Sequence, residues 1–551
     1  MSDNEIPVDR WKSMRFRLSK KNRKRMKTYF QEYCDNTSIH GFKYLSENKR
    51  SWIEKFWWFI TITICMGLCG YLTLKTYHKW RSTPVIVSFA TKQTPIFEIP
   101  FPAVTICPEA KLNTSVFNYS GELWKWGRKE SVQKELEYSS LICTSPKNTT
   151  GDQYWSDDKP LQFLNKVAPK FNEIFVSCVY GKSKNKTCSD LFKPVLTDEG
   201  VCYTFNMIDR EELFTKKVKP INNYFKFNKI ENYNVLNGYG QSLSAYPRRA
   251  LFTGAKYGLN VVLKINEKYN DKKCGDLLRG YKIILHHPTE FPRSTLHYFR
   301  LPLKQAVVAA VTPQMINTKN TLLSYSYERR QCYFERERKL EYFNIYTQQN
   351  CELECLTNYI EKTFGCVNFY MPRRTDSNIC SPVNLPNITI AEKALMIKEI
   401  AKYLQEREEI KNENDFKSSL VSELYKFITP ESTANDSKSN MDSCNCLPAC
   451  TSIDYNTETS QSELYYDGDQ HKAISSTNFS NDDDYSMLIV YFKEYQFIPS
   501  ERSELYGIVD FVANIGGLLG LFIGCSVISV MEIVYFLSLR WCCNIALKHK
   551  H

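Results

Sequence analysis

The stretch from Gly507 to Leu539 constrains this chain more than any other. Ile508 to Leu539 supplies 32 residues dominated by Ile, Val, Leu, Phe and Gly, and a helix needs roughly 20 mostly apolar residues to cross a bilayer. The surplus lets the segment tilt, or break in the middle, and still cross. Gly516, Gly520 and Gly524 recur at every fourth residue, which puts three positions without side chains on one helical face where neighbouring backbones approach closely. Asp510, Asn514, Ser526, Ser529 and Glu532 lie in the same run; lipid tolerates such groups poorly, so they must face protein or water. Taken alone, the run fits a single anchor helix with a small-residue packing seam.

A second apolar segment changes the topology. Phe56 to Leu74 holds 19 residues without a charge, about 28 Å of helix, which just spans the hydrocarbon. Trp52, Trp57 and Trp58 at one end and Tyr71, Tyr77 and Trp80 at the other read as aromatic belts at the two interfaces. Residues 1–55 hold 14 Lys/Arg against 7 Asp/Glu, and residues 540–551 hold three Lys/Arg and no acid. Basic flanks just outside two apolar segments place both termini in the cytosol. The run Lys20 to Lys27 reads as an inner-leaflet contact rather than a nucleic-acid patch. The first 50 residues lack the apolar core of a signal peptide, so the first span directs insertion.

The region between the spans must then lie outside the cell, and two independent features agree. Fourteen of the 20 cysteines fall between Cys107 and Cys450, an even number that suggests disulfides in an oxidising compartment. Asn113, Asn118, Asn148, Asn185, Asn387, Asn435 and Asn478 each begin a glycosylation sequon in the same region. Leu259 to Ile265 alternates as a strand, and Phe101 to Pro108 is a short β-like run. Gln348 to Lys362 and Ala391 to about Glu409 have helical spacing. Cys351 and Cys355 share a helix face about 6 Å apart, and Cys444 and Cys446 would lie about 6.6 Å apart on one face of a strand. Two adjacent rungs can therefore form, without the geometry choosing which cysteine meets which. Residues 430–485, with Asp482-Asp-Asp484, read as loops, and Met487 to Phe492 as a final strand before the second span. His286 and His287 read as a strand end, with no metal-ligand spacing around them.

The run Gly516-Gly-Leu-Leu-Gly-Leu-Phe-Ile-Gly-Cys-Ser526, followed by Glu532, resembles the second membrane helix of the degenerin/epithelial sodium channel (DEG/ENaC) family. His40-Gly41 before the first span and Phe101-Pro-Ala-Val-Thr-Ile-Cys-Pro108 after it are similar to family segments. So are Thr197-Asp-Glu-Gly-Val-Cys-Tyr-Thr-Phe-Asn206 and the segment Gly280 to Pro292. The resemblance runs from His40 to Glu532, and Gln496 to Gly507 with Cys446-Leu-Pro-Ala-Cys450 looks like the insect pickpocket branch.

That resemblance implies an integral membrane protein in which two transmembrane helices flank a large disulfide-rich mixed α/β ectodomain, assembled as a trimer. Its divisions are a cytoplasmic segment 1–55, a first helix 56–77, a glycosylated ectodomain 78–506, a pore helix 507–539 and a cytoplasmic tail 540–551. The implied function is a subunit of a voltage-independent, amiloride-sensitive sodium channel opened by an extracellular chemical or mechanical stimulus. Gly524, Cys525 and Ser526 would form the selectivity filter, with Asn514, Gly517, Gly520 and Ser529 lining the pore and His40, Gly41 and Ala513 gating it. The family pattern also implies the pairs Cys107–Cys202, Cys178–Cys188, Cys332–Cys450, Cys351–Cys446, Cys355–Cys444 and Cys366–Cys380; Cys143 and Cys274 then pair by elimination. The implied setting is the plasma membrane, with homo- or heterotrimeric partners of the same family, a possible extracellular ligand, no nucleic acid, and no cofactor beyond permeant Na⁺. Asn514 and Cys525 depart from the family's commonest residues. The rival reading is a non-conducting auxiliary subunit or a two-span receptor or adhesion protein. No Gly-x-Ser-x-Gly or His-Glu-x-x-His motif suggests an enzyme.

Overall fold

The computed structural model describes residues 26–47, 50–82, 85–124, 130–143, 153–181, 187–221, 224–234, 238–242, 245–266, 271–275, 278–295, 297–406, 444–465, 483–505 and 507–540. The chain divides into two compact units. One comprises Met1–Val87, Thr321–Tyr325 and Ser503–His551, the other Ser88–Asn320 and Ser326–Arg502. Asn148, Asn185, Asn435 and Asn478 lie outside the described residues, as do the basic run up to Arg25 and the tail from Trp541.

The larger unit is built on two sheets that share a core. Strand Leu259–Asn266 alternates buried and half-buried along its whole length, because Leu259, Val261, Leu263 and Ile265 occupy one face of a period-two strand. It pairs antiparallel with Asp483–Phe492 on one side and Phe175–Tyr180 on the other. Strand Gln305–Thr318 continues the sheet, parallel to Asp483–Phe492 and antiparallel to Ser452–Glu463. The second sheet has the order 299–301, 281–286, 103–108, 200–205, 192–197. Ala103–Pro108 is buried at every position, as expected of a central strand covered on both faces. Val104, Ile106, Phe205 and Ile283 from this sheet and Val261, Val307 and Leu488 from the larger one belong to a single apolar cluster.

Helix Gln348–Phe364 starts on Thr347, whose side chain accepts from Asn350 N–H, and stops at Gly365, which adopts φ 68°. Cys351 and Cys355 on this helix bond Cys446 and Cys444, each with Cα atoms 5.7 Å apart. The structure also forms Cys107–Cys202, Cys143–Cys274, Cys178–Cys188, Cys332–Cys450 and Cys366–Cys380.

Four local readings are corrected. Cys444 to Cys446 is not a strand, because Asn445 sits at φ 48°, yet the rungs still close across that turn. Residues 452–463 are not loop but a 12-residue strand, paired over its length with Gln305–Thr318. The strand containing Met487 begins at Asp483 and is not the last, since Gln496–Phe497 and Ser500–Glu504 follow it. Asp484 therefore lies in a strand, ion-paired to Lys304 at 3.1 Å, rather than in a solvated acidic loop. The helix expected from Ala391 begins earlier than its periodicity suggested, at Leu385, and is described to Glu406.

In the smaller unit, Trp52–Ser82 forms one continuous helix of 31 residues. Its run Trp52–Arg81 is long and apolar enough to cross a membrane. The second apolar run forms two helices, Ile508–Ile523 and Val527–Tyr535, the latter continued by a π-helical turn to Arg540. They meet at 73°, and only the two together are long and apolar enough to cross a membrane.

A helix break clasped by the N-terminal segment

The break has a local cause. Gly524 adopts φ 64°, a left-handed conformation that a glycine enters without a Cβ penalty. Its N–H and that of Cys525 close back onto the carbonyls of Gly520 (3.0 Å) and Leu519 (3.2 Å). Two residues on, Ser526 caps the next helix: its Oγ accepts from Ser529 N–H at 3.3 Å, while Ser526 N–H donates to Ser529 Oγ at 3.1 Å. A left-handed glycine followed by a capping serine thus ends one helix and starts another within three residues.

The N-terminal segment docks on this break. His40 N–H donates to the Ile523 carbonyl at 3.0 Å, one of the carbonyls that a helix C-terminus leaves without an intrahelical partner. The His40 ring lies so near the break that a Cβ built on Gly524 would sit 2.5 Å from its Nδ1. Gly41 has φ 88°, and a Cβ there would meet Ile62 of the first span at 2.9 Å. Both glycines are therefore favoured by conformation, and a Cβ at either would make a neighbouring side chain shift. Ser38 adds a polar clasp. Its N–H and Oγ donate to Glu532 Oε2 at 3.0 and 3.1 Å, and its Oγ lies 2.6 Å from Ser529 Oγ. Deeper in the chain, helix 26–36 is tied to the end of the second run by Arg540 Nε to Glu32 Oε1 at 3.1 Å and by Tyr29 donating to the Phe536 carbonyl.

The other expected pore residues lie on the first half of the run. Ala513, Gly517, Gly520 and Gly524 fall within about 40° of one direction at 100° per residue, and Ala513, Asn514, Gly517 and Gly520 are exposed. A Cβ at Gly516, Gly517 or Gly520 would meet no neighbour within 4 Å, so this face is bare in a single chain. On its other side the helix packs on the first span, with Trp80 stacked on Phe511 at 4.9 Å. Ser529 departs from its expected role: it is fully buried, with its hydroxyl turned to Ser38 and Ser526 rather than to open space. Sequence reasoning did not anticipate Ser38. The available signal was that Ser529 and Glu532, polar in an apolar run, needed partners, but nothing local named a serine 491 and 494 residues away.

Of the sequons within the described residues, Asn118 and Asn387 are exposed, but Asn113 is buried at 3%. Its Nδ2 points to Glu173 at 3.3 Å and its Oδ1 accepts from Ser115, so a glycan there conflicts with the folded arrangement. His286 and His287 are buried at the strand end, bonded to Thr105 and Thr289. Burial pushes them down to about 4 and about 3, and no cluster of three metal-ligating side chains occurs among the described residues.

One helix long and apolar enough to cross a membrane and a clasped helix break, carried on the same chain as a disulfide-rich unit, are the features of a membrane protein with a large folded domain. Residues 33–536 match the family described as amiloride-sensitive sodium channel, and the chain belongs to that family, the DEG/ENaC channels. It is 26% identical to Pickpocket protein 28 of Drosophila melanogaster, over 94% of this chain and 80% of the relative. It is 24% identical to the sodium channel protein Nach of the same fly, over 92% and 86%, and 21% identical to the human bile acid-sensitive ion channel, over 94% and 87%. The family consists of plasma-membrane cation-channel subunits and not of enzymes.

Proposed function

We propose that this chain is a subunit of a trimeric, sodium-selective, amiloride-sensitive channel whose narrowest point is Gly524-Cys525-Ser526. The observation that carries this reading is the break itself. It places Gly524, Cys525 and the small polar side chain of Ser526 at the interruption of an otherwise apolar run, where backbone and small side chains can replace part of an ion's hydration shell. Two apolar runs cannot enclose an aqueous path in one chain, and the bare face of Ala513, Gly517 and Gly520 allows several copies to approach closely. In this reading residues 56–77 and 507–539 span the plasma membrane, with 1–55 and 540–551 cytoplasmic and 78–506 outside. His40, Gly41 and Ser38 hold the filter from the cytosolic side, Ala513 stands at the gate and Asn514 faces the path. The extracellular stimulus, chemical or mechanical, acts on the Cys-rich unit.

The test is whole-cell current from cells expressing Ala513→Val, in Na⁺ and then K⁺ solutions, with and without amiloride. A bulkier side chain at a tight helix crossing holds the gate open without knowledge of the stimulus. A standing, amiloride-blocked Na⁺ current is expected. Its absence from chains shown to reach the surface contradicts a self-sufficient channel and leaves an auxiliary subunit or receptor.

A further inference from the structure

The second apolar run carries two carboxylates, Asp510 in its first turn and Glu532 near its other end, whereas Phe56 to Leu74 of the first run carries no charge. Glu532 is engaged from outside its helix, since its Oε2 accepts from both the N–H and the hydroxyl of Ser38. Asp510 is engaged only by its own helix: its Oδ2 accepts from Gly507 N–H at 3.2 Å. Among the described residues no lysine, arginine or histidine pairs with it, and it is exposed.

Its direction matters. At 100° per residue, Asp510 projects between Asn514, about 40° to one side and one turn further in, and Gly517, about 20° to the other side and two turns in. Phe511, which stacks on Trp80 of the first span at 4.9 Å, points about 100° away. A Cβ on Gly516, Gly517 or Gly520 would meet no neighbour within 4 Å, so Asp510 heads a stripe that a single chain leaves uncovered. Glu504 is the other carboxylate at this end, but it precedes the helix, and its Oε2 accepts from the Tyr325 hydroxyl at 3.4 Å.

Capping is one reason for an acid here, because a first-turn carboxylate satisfies a free N–H and suits the positive end of the helix. The oxygen of an asparagine or serine would accept the same bond without a charge, and a charge in a membrane span is costly unless protein or water faces it. We infer that Asp510 sets the charge at the outer mouth of the pore. Copies packed around an axis bring their Asp510 carboxylates together one turn above Asn514, where they concentrate cations and repel anions ahead of Gly524-Cys525-Ser526. The inference rests on the pore reading proposed above, and concerns a field that draws ions in rather than an ion held in place.

The experiment is single-channel recording from the full-length chain carrying Ala513→Val in planar lipid bilayers. The outer solution holds about 10 mM and then about 1 M Na⁺, in which the field of an exposed charge reaches about 30 Å and about 3 Å. A cap is indifferent to that difference. Adding Asp510→Asn should lower inward Na⁺ conductance at least threefold in the dilute solution and leave it unchanged in the concentrated one, while Asp510→Glu should keep it. Asn514→Asp should restore the conductance lost in Asp510→Asn, by returning a carboxylate to the stripe one turn further in, and so separate lost charge from misfolding. The inference is overturned by a conductance that Asp510→Asn leaves unchanged in dilute Na⁺, by an equal loss in both solutions, which would leave the cap alone, or by an equal loss from Glu504→Gln. Absence of current from Ala513→Val itself overturns the pore reading and this inference with it, whereas current indifferent to Asp510→Asn overturns the inference alone.

Discussion

In the Cys-rich unit, seven disulfides and two large apolar clusters fix the backbone. In the membrane unit, the break at Gly524 is held by a few hydrogen bonds from Ser38 and His40, with two left-handed glycines, Gly41 and Gly524, set close to neighbouring side chains. Covalent links and a buried core resist rearrangement, whereas hydrogen bonds with a net worth of about 1 kcal/mol each can be exchanged for others. In the proposed reading, the difference gives stability to one region and switching to the other. Substitutions should therefore separate into those that change how much protein reaches the surface and those that change current through protein already there.

The largest effect should come from Cys107→Ala with Cys202→Ala, which removes a buried link between strands Ala103–Pro108 and Gly200–Phe205. Native disulfides contribute about 2–5 kcal/mol in secreted domains, so surface biotinylation should fall severalfold. Unchanged surface amounts would show that the Cys-rich unit does not depend on its covalent links. The next effect concerns pH. Glu290 is raised in the folded state to about 8, so the folded chain holds a proton that the unfolded chain releases near pH 4. Stability contributed by this group is present below that unfolded value and is lost as pH rises toward 8, by at most about 1.4 kcal/mol per pH unit. Glu199 works in the opposite sense and at lower pH. Burial pushes it up, but Lys111 and Lys282 together hold it at about 2, so its contribution is present above pH 4 to 5 and fades as pH falls toward 2. Thermal unfolding of Glu290→Gln should therefore show a flatter dependence between pH 5 and 8 than the wild type; an unaltered slope would remove Glu290 from the account. In the membrane unit, Gly41→Ala puts a methyl group 2.9 Å from Ile62 at φ 88°, a strain of about 1–2 kcal/mol. It should alter open probability while leaving surface amount nearly intact, and Ile62→Ala should restore part of the loss.

The sequence made some of these features legible and hid others for physical reasons. Alternation in Leu259 to Ile265 and the spacing of Cys351 and Cys355 are local, and the strand and helix they predict are present. Strand Ser452–Glu463 was hidden because it is rich in Ser, Thr and Glu, and most of its residues are exposed. Only pairing with Gln305–Thr318 makes it a strand, and that partner lies about 150 residues earlier. Asn445 shows the converse: the disulfide rungs depend on where the cysteines end up, not on the strand expected to present them. At the helix break, the surplus length of the run allowed an interruption and Glu532 was readable as a polar group in need of a partner, whereas the capping role of Ser526 was not read. That the partner is Ser38 follows only from the chain's return to the break from the other end.

The central claim is that the break at Gly524 sets conduction and is held in shape by the N-terminal segment. The most direct test is current through Gly524→Ala in the Ala513→Val background, at matched surface expression, with and without His40→Gly. Alanine at φ 64° would crowd the His40 ring at 2.5 Å, so Gly524→Ala should reduce Na⁺ current or Na⁺-over-K⁺ preference at least tenfold, and removing the His40 ring should recover part of it. Unchanged current and selectivity in Gly524→Ala would contradict the account.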